Sequence, residues 1–397
     1  MGLSFELSPE QEAIRQTCRD FATQVVAPQA AEWDRKEEFP YPLVQQMGEL
    51  GLFGLPFPEE VGGAGADFVS YLLAVEEVAR ADASLAITLE AGVSLGIAPI
   101  FNYGTEEQRR RLLPELCSGR KLWAFGLTEP EAGSDAGGSK TRARREGKEF
   151  VIDGGKAFIT NSGTEISAGV TITATTAEEG GRKRISALLV ERGTPGYEVA
   201  PPYRKLGWHA SDTRALTFSR CRVPDTNLLG QEGGGLGQFF RTLEAGRVAI
   251  AALAVGLAQA CLDQSLSYSQ QRRQFGRPIS RFQATQLKLA DMATQTELSR
   301  LMVWRAGTMI DQGRSPGRYA AMAKLQAAET ATWCANEAVQ IHGGAGFMED
   351  LPVARYYRDV KINEIGEGTS EVQRLIVASH LLGLGGSVSK LLALEDG

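Results

Sequence analysis

Histidine is scarce in this 397-residue chain. The three present, His209, His342 and His380, stand far apart with no cysteine at metal-ligand spacing, so no zinc site is expected. Five cysteines (Cys18, Cys117, Cys221, Cys261, Cys334) are scattered and odd in number, a usage that fits reduced thiols and not a disulfide framework. Positive charge is not in excess. A net charge of -6 argues against nucleic acid as a partner, because phosphate binding needs a basic face. The densest basic run, Arg109-Arg110-Arg111, lies in a helix-like stretch and reads as a solvated face. No basic region followed by an apolar core marks a secretory signal. No apolar run reads as long enough to span a bilayer, so no integral membrane segment is expected. Repeats and flexible linkers are also missing. The expected compartment is a bacterial cytoplasm, with a processed mitochondrial chain as the alternative.

What is present is ordinary for a soluble globular enzyme: 43% hydrophobic and 23% charged residues, on a length sufficient for two or three domains. The first third reads as helices. Ser8-Pro9-Glu10-Gln11 combines a capping box with proline at the first helical position, and Thr105-Glu106-Glu107-Gln108 repeats the box. The texture changes near Leu122. Phe150-Val151-Ile152, Asp153-Gly154 and Ala157-Phe158-Ile159 predict a hairpin turning at Asp153-Gly154. Further strands are expected over 169–176, 185–190 and 215–218. After Gly233-Gly234-Gly235 the helical texture returns: a small-residue helix over 237–271, then helices over 282–312 and 317–341, as in a bundle. The fold class is α+β: an N-terminal all-α domain (1–121), a central β-barrel-like domain (122–232) and a C-terminal four-helix bundle (233–397).

Four segments carry chemistry. Glu364-Ile365-Gly366-Glu367-Gly368-Thr369-Ser370-Glu371 puts a carboxylate between glycines just before a helix. Held there, Glu367 could reach into a pocket as a base, or the segment could be only a helix start capped by Thr369 or Ser370. Phe125 to Asp135 clusters small and hydroxyl residues able to present N–H and O–H groups to an anion or heteroaromatic ring. Lys156 to Gly163 ends a strand. Gln340 to Phe347 ends a helix, where glycines either stop the helix or admit a ligand to the backbone.

As a set, in this order and spacing, these segments resemble the acyl-CoA dehydrogenase family of flavoproteins. The resemblance runs from about Leu7 to Leu382 and includes Arg272-Arg273-Gln274-Phe275-Gly276 and Tyr356-Tyr357-Arg358-Asp359. It implies FAD as cofactor, an acyl-CoA thioester as substrate and electron-transfer flavoprotein as acceptor. Glu367 matches the family's catalytic base. Phe125, Leu127, Thr128, Gly133 and Ser134 match positions around the flavin, Ser134 also facing the substrate. Thr160 matches the threonine facing flavin N5, and Phe158 stands where several members carry tryptophan. Arg272 and Phe275 match residues that reach the FAD of a neighbouring subunit, and Gln340, Gly343 and Gly344 match the loop about its adenosine half. Thr369 and Glu371 match further cofactor contacts, and Glu244, Arg247 and Gly368 match substrate contacts. A site shared in this way implies an obligate oligomer, a homotetramer in this family.

Some branched-chain and long-chain members carry the base on the long bundle helix. That position is Gly246 here, which leaves Glu367 as the candidate. The resemblance is nearest to short-chain, butyryl-CoA-type members, on Leu243-Glu244-Ala245-Gly246-Arg247, Ala323-Lys324-Leu325 and the Glu367 loop. Its rivals are an oxidase or flavin monooxygenase on the same fold, a branched-chain dehydrogenase, or a non-catalytic flavin-binding protein. Glu90, in the stretch expected to set pocket depth, either ends the pocket or is a solvated or paired carboxylate.

Overall fold

The computed structural model describes residues 5–180, 182–386 and Val388. Helices α1 (Pro9–Phe21), α2 (Ala27–Lys36), α3 (Tyr41–Glu49), α4 (Phe68–Ala81), α5 (Ala83–Glu90), α6 (Ala98–Tyr103) and α7 (Glu106–Cys117) form the N-terminal part. Both capping boxes are present: Ser8 Oγ accepts from the Gln11 N–H, and Thr105 Oγ1 from the Gln108 N–H. Gln108 also donates to the carbonyls of Thr226 and Leu228, tying α7 to the β region.

Strands β1 (Leu122–Gly126), β2 (Arg142–Glu146), β3 (Glu149–Thr160), β4 (Ser167–Glu179), β5 (Arg182–Glu191), β6 (Tyr197–Val199), β7 (Thr213–Pro224) and β8 (Leu228–Leu229) make one eight-stranded sheet. Its path is β6-β7-β3-β2-β4-β5-β8, with β1 added parallel to β4. The sheet buries its own cluster, in which Phe150, Ile152, Val170, Leu188 and Phe218 are prominent.

The hairpin expected at Asp153-Gly154 turns elsewhere. Residues 149–160 are one strand, and the turn falls at Gly147-Lys148, where Gly147 has φ +63°. Asp153-Gly154 is instead a bulge: the register against β7 shifts between Ile152 and Gly154, and Asp153 Oδ1 accepts from the Arg220 N–H. Turn and bulge both call for glycine at positive φ, so local composition does not separate them.

Helix α8 (Gly235–Gln271) begins the C-terminal part. The short pair β9 (Arg273–Gln274) and β10 (Arg277–Pro278) follows. Then come α9 (Gln283–Asp311), α10 (Arg318–His342), α11 (Pro352–Asp359) and α12 (Ser370–Leu381). Small residues let α8 approach its neighbours closely; a Cβ on Gly256 would lie 2.3 Å from the Glu76 carbonyl oxygen in α4. One hydrophobic core runs without a break from the N-terminal helices into the bundle. Two stretches, Ala83–Tyr103 and Gly235–Gln271, are in fact long and apolar enough to cross a membrane, contrary to the expectation from sequence. Their apolar windows are 83% and 89% buried within the protein, which marks core helices wrapped by other helices.

Candidate active site

The Glu367 loop is held from three helices. After α11 a tight turn, Val360–Glu364, delivers the chain to Glu367, and Thr369 then caps α12 by accepting from the Val372 N–H. Glu367 adopts φ +55°, the left-handed region that costs a non-glycine residue on the order of 1 kcal/mol or more. The surroundings maintain it. Gln373 Nε2 donates to the carbonyl oxygens of Glu367 (3.2 Å) and Gly368 (2.9 Å). Lys324 Nζ, on α10, donates to the Gly368 carbonyl at 2.8 Å, and Arg247 Nε, on α8, lies 3.4 Å from the Glu367 carbonyl.

The side chain turns inward. The residue keeps some exposure through its backbone, but both carboxylate oxygens are buried and find no donor. A Cβ on Gly246 would stand 2.5 Å from Glu367 Oε2, so the carboxylate occupies the space that the missing side chain leaves. Burial pushes the Glu367 carboxyl above the usual carboxylate range, while Arg247 and Lys324 oppose that rise. The same burial lowers the Lys324 ammonium to about 8, against the pull of Glu367. Arg247 is likewise lowered by burial and held up by Glu367 and Glu244. Glu244 accepts a 2.8 Å hydrogen bond from Ser315 Oγ in the turn between α9 and α10. A buried carboxylate raised toward neutrality and flanked by two cations suits a general base.

A second group lies on the sheet. The Ala157 N–H donates to the Thr128 carbonyl at 2.9 Å, joining the 127–134 loop to β3. Phe158 sits at φ +60° with its ring 64% exposed and 5.2 Å from Tyr203. The side-chain hydroxyls of Thr128, Ser134 and Thr160 meet no protein partner among the described residues. Phe125 stacks on Phe239 of α8 at 4.0 Å and so ties the sheet to the bundle.

A third group stands apart. Arg272, Phe275, Gln340, Gly343 and Gly344 are all exposed, Phe275 at 92%. They share one end of the bundle, where Tyr268 of α8 stacks on His342 of α10 at 4.2 Å. Gly246 and Arg272 belong to one straight run of α8 and its cap, roughly 39 Å apart at about 1.5 Å per residue. The fold therefore gathers Glu367, Arg247, Glu244, Gly368 and Thr369 in one place. It does not bring the third group to them within one chain. Glu371 lies on the exposed first turn of α12, its pKa lowered chiefly by its own backbone N–H and by Thr369.

Family models for the N-terminal, middle and C-terminal domains of acyl-CoA dehydrogenase match residues 8–120, 124–221 and 233–382. The chain belongs to the acyl-CoA dehydrogenase family. It is 50% identical over 381 residues to a probable acyl-CoA dehydrogenase, YngJ, of Bacillus subtilis, covering 96% of this chain and 100% of that one. To the mitochondrial short-chain specific acyl-CoA dehydrogenase of Mus musculus it is 45% identical over 379 residues, covering 96% and 92%. The structure of butyryl-CoA dehydrogenase from Megasphaera elsdenii superposes with a TM-score of 0.92 at 41% identity, over 96% and 100% of the two chains. An acyl-CoA dehydrogenase complexed with FAD from Bacillus anthracis superposes with a TM-score of 0.89 at 36% identity, over 95% and 67%.

For an acyl-CoA dehydrogenase the sheet ledge is apt. An exposed aromatic face and three unengaged hydroxyls suit a heteroaromatic ring with a polar edge. Sequence reasoning missed several residues around Glu367. Lys324 appeared only inside a family-like tripeptide, although a lone lysine among the alanines of α10 was a signal. Gln373 carried no signal. Glu90 is neither solvated nor paired with a cation: it is wholly buried, faces Glu367, and neither carboxylate oxygen finds a donor.

Proposed function

We propose that this protein catalyses FAD-dependent α,β-dehydrogenation of short, unbranched acyl-CoA thioesters and passes the electrons to electron-transfer flavoprotein. The observation that carries this reading is the Glu367 carboxylate, buried, without a donor, and set against the bare face of Gly246. FAD supplies the acceptor for the hydride that leaves the β-carbon. Thr128, Ser134, Phe158 and Thr160 would hold its ring system. Arg272, Phe275, Gln340, Gly343 and Gly344 would serve the FAD of a neighbouring copy in a homotetramer. The domains divide at 1–121, 122–232 and 233–397.

Glu367 removes the α-proton. A thioester α-C–H is too weak an acid for an ordinary carboxylate in water, so the site must raise the base and stabilise enolate-like charge. Burial does the first. For the second, the Glu367 N–H takes part in no backbone hydrogen bond and is available to the thioester oxygen. Arg247, Gln373 and Lys324 keep the loop carbonyls turned away, which fixes the direction of that N–H. Glu244, Arg247 and Gly368 line the approach of the substrate.

Short chains are favoured by the 45% identity to a short-chain enzyme and the likeness to a butyryl-CoA dehydrogenase. Gly246 also removes the base position that some branched-chain members use. A bacterial cytoplasm fits the five cysteines, all free and buried, and the Bacillus relative. The test is anaerobic addition of butyryl-CoA to the holoenzyme. The flavin absorbance should bleach in the native protein and persist in Glu367→Gln, which retains FAD. Loss of a general base slows turnover by about 10²–10⁴-fold. Normal bleaching in that variant would falsify the assignment of the base. Rapid reoxidation of the reduced enzyme by air would make the protein an oxidase instead.

A further inference from the structure

The last residue of α5, Glu90, is 0% exposed, and neither of its carboxylate oxygens has a donor. Both oxygens of Glu367 share that condition. The two carboxyls lie within hydrogen-bond reach of each other, acceptor against acceptor. Such a contact is tolerable only if one of them carries a proton, because two buried carboxylates side by side cannot both ionise. A single proton turns two orphaned groups into one short, charge-assisted hydrogen bond.

The neighbours decide which residue holds it. Arg247 of α8 and Lys324 of α10 face Glu367 and favour its charged form. Among the described residues no cation faces Glu90. Its neighbours are Glu367, Tyr71 of α4 and Ser94, whose hydroxyl shares a 2.9 Å hydrogen bond with Tyr71 Oη and also favours the charged form of Glu90, more weakly than burial opposes it. Beyond these, Glu244 faces Arg247, while Glu364 and Glu371 face Lys324. Desolvation and the facing Glu367 outweigh the opposing Ser94 hydroxyl at Glu90, and the proton resides there.

We propose that Glu90 is a positioning residue for the base: it stays a neutral carboxylic acid in the substrate-free holoenzyme and donates its proton as a hydrogen bond to ionised Glu367. The inference rests on the reading of Glu367 as the base. It gives Glu90 two tasks, to aim the Glu367 carboxylate and to keep it ionised at neutral pH despite burial.

The experiment compares Glu90→Gln and Glu90→Leu with the native holoenzyme, using butyryl-CoA and an artificial electron acceptor across pH. Glutamine keeps a donor in nearly the same place and carries no titrating proton. Leucine removes the donor. In Glu90→Leu the acid limb of kcat/KM should move up by about one pH unit or more, since a lost donor raises the pKa of the carboxylate it served. In Glu90→Gln the acid limb should stay within a few tenths of a unit of the native position. A merely structural role would lower rates in both variants without moving either limb, and that result overturns the proposal. So does an equal shift in both.

Infrared spectra of the substrate-free holoenzyme supply a readout independent of turnover and of the leucine variant's folding. The difference between native protein and Glu90→Gln should contain the carbonyl band of one protonated carboxyl at neutral pH. Its absence sinks the idea. The band depends on the pair and not on the identity of the base, so normal bleaching in Glu367→Gln would refute the base while the band still reports whether Glu90 is neutral.

Discussion

At position 246 the absence of a side chain leaves room for the Glu367 carboxylate. The atom that a Gly246 Cβ would meet at 2.5 Å is the free end of Glu367, a flexible group that can move aside. Gly246→Ala should therefore fold and bind FAD much as the native chain does. Its kcat should fall by about 10²-fold, because a displacement near 1 Å is enough to spoil a proton transfer. Moving the carboxylate tests the same space. Gly246→Glu alone places two carboxylates in one volume and should be nearly inactive. Combined with Glu367→Gly it should recover part of the activity. Stopped-flow bleaching of the flavin by butyryl-CoA measures all three variants, and a double variant no better than Gly246→Glu would show that position 246 cannot reach the α-carbon.

Among the elements, α11 joins the three parts of the molecule. Arg355 donates to the carbonyl of Ala81, the last residue of α4, at 3.0 Å. Arg358 pairs with Asp34 of α2 at 2.6 Å. Asp359 accepts from the Trp208 N–H at 2.7 Å, in the segment leading to β7. Burial, and then Asp82, push the Asp359 carboxyl up to about 7, against the Trp208 N–H and Arg355. Unfolded aspartate titrates near 3.9, so between about pH 4 and 7 the folded state holds the extra proton. The contribution of Asp359 to stability is then fully present at low pH and is lost as pH rises through that window. Asp359→Asn should flatten the fall of stability from about pH 4 to 7, by at most about 1.4 kcal/mol per pH unit, read as Tm against pH. Parallel Tm–pH curves for the two proteins would assign the pH dependence elsewhere.

For the whole molecule, the exposed end of the bundle is the part that a single chain does not explain. Phe275 and Phe347 are 92% and 79% exposed, and Arg272 lies about 39 Å along α8 from Gly246, at roughly 1.5 Å per residue. If these residues hold a neighbour's FAD, Arg272→Ala should weaken flavin retention and assembly together, since binding that favours the assembled state stabilises it. Light scattering and the flavin-to-protein ratio measure both. A native monomer with full FAD would remove the shared site. The acyl pocket is a second property of the whole. kcat/KM should peak at four to six carbons, because each fitting methylene gains roughly 0.8 kcal/mol and one too many costs about 1–3 kcal/mol. A steady rise to palmitoyl-CoA, or a preference for isovaleryl-CoA, would reject the short-chain reading and leave the dehydrogenation intact.

The sequence by itself determined what depends on near neighbours in the chain. The capping boxes at Ser8 and Thr105, the cap at Thr369, the long small-residue helix and the order of helical and β regions were all legible, because a cap or a periodicity acts within a few residues. The glycine-flanked setting of Glu367 left a base and a helix start both open, and only the resemblance of the four segments as a set singled the residue out. Even locally there were limits, as at Asp153-Gly154, where a bulge and a turn share one composition. Only the tertiary structure decided the company Glu367 keeps. Glu90 comes from α5, Gly246 and Arg247 from α8, Lys324 from α10 and Gln373 from α12, segments separated by up to hundreds of residues. They meet because α8 packs against both α4 and α10, a consequence of burying small side chains along its whole length. No spacing in one chain encodes that meeting, so the carboxyl facing Glu367 and the lysine holding its loop emerged only from the packed helices.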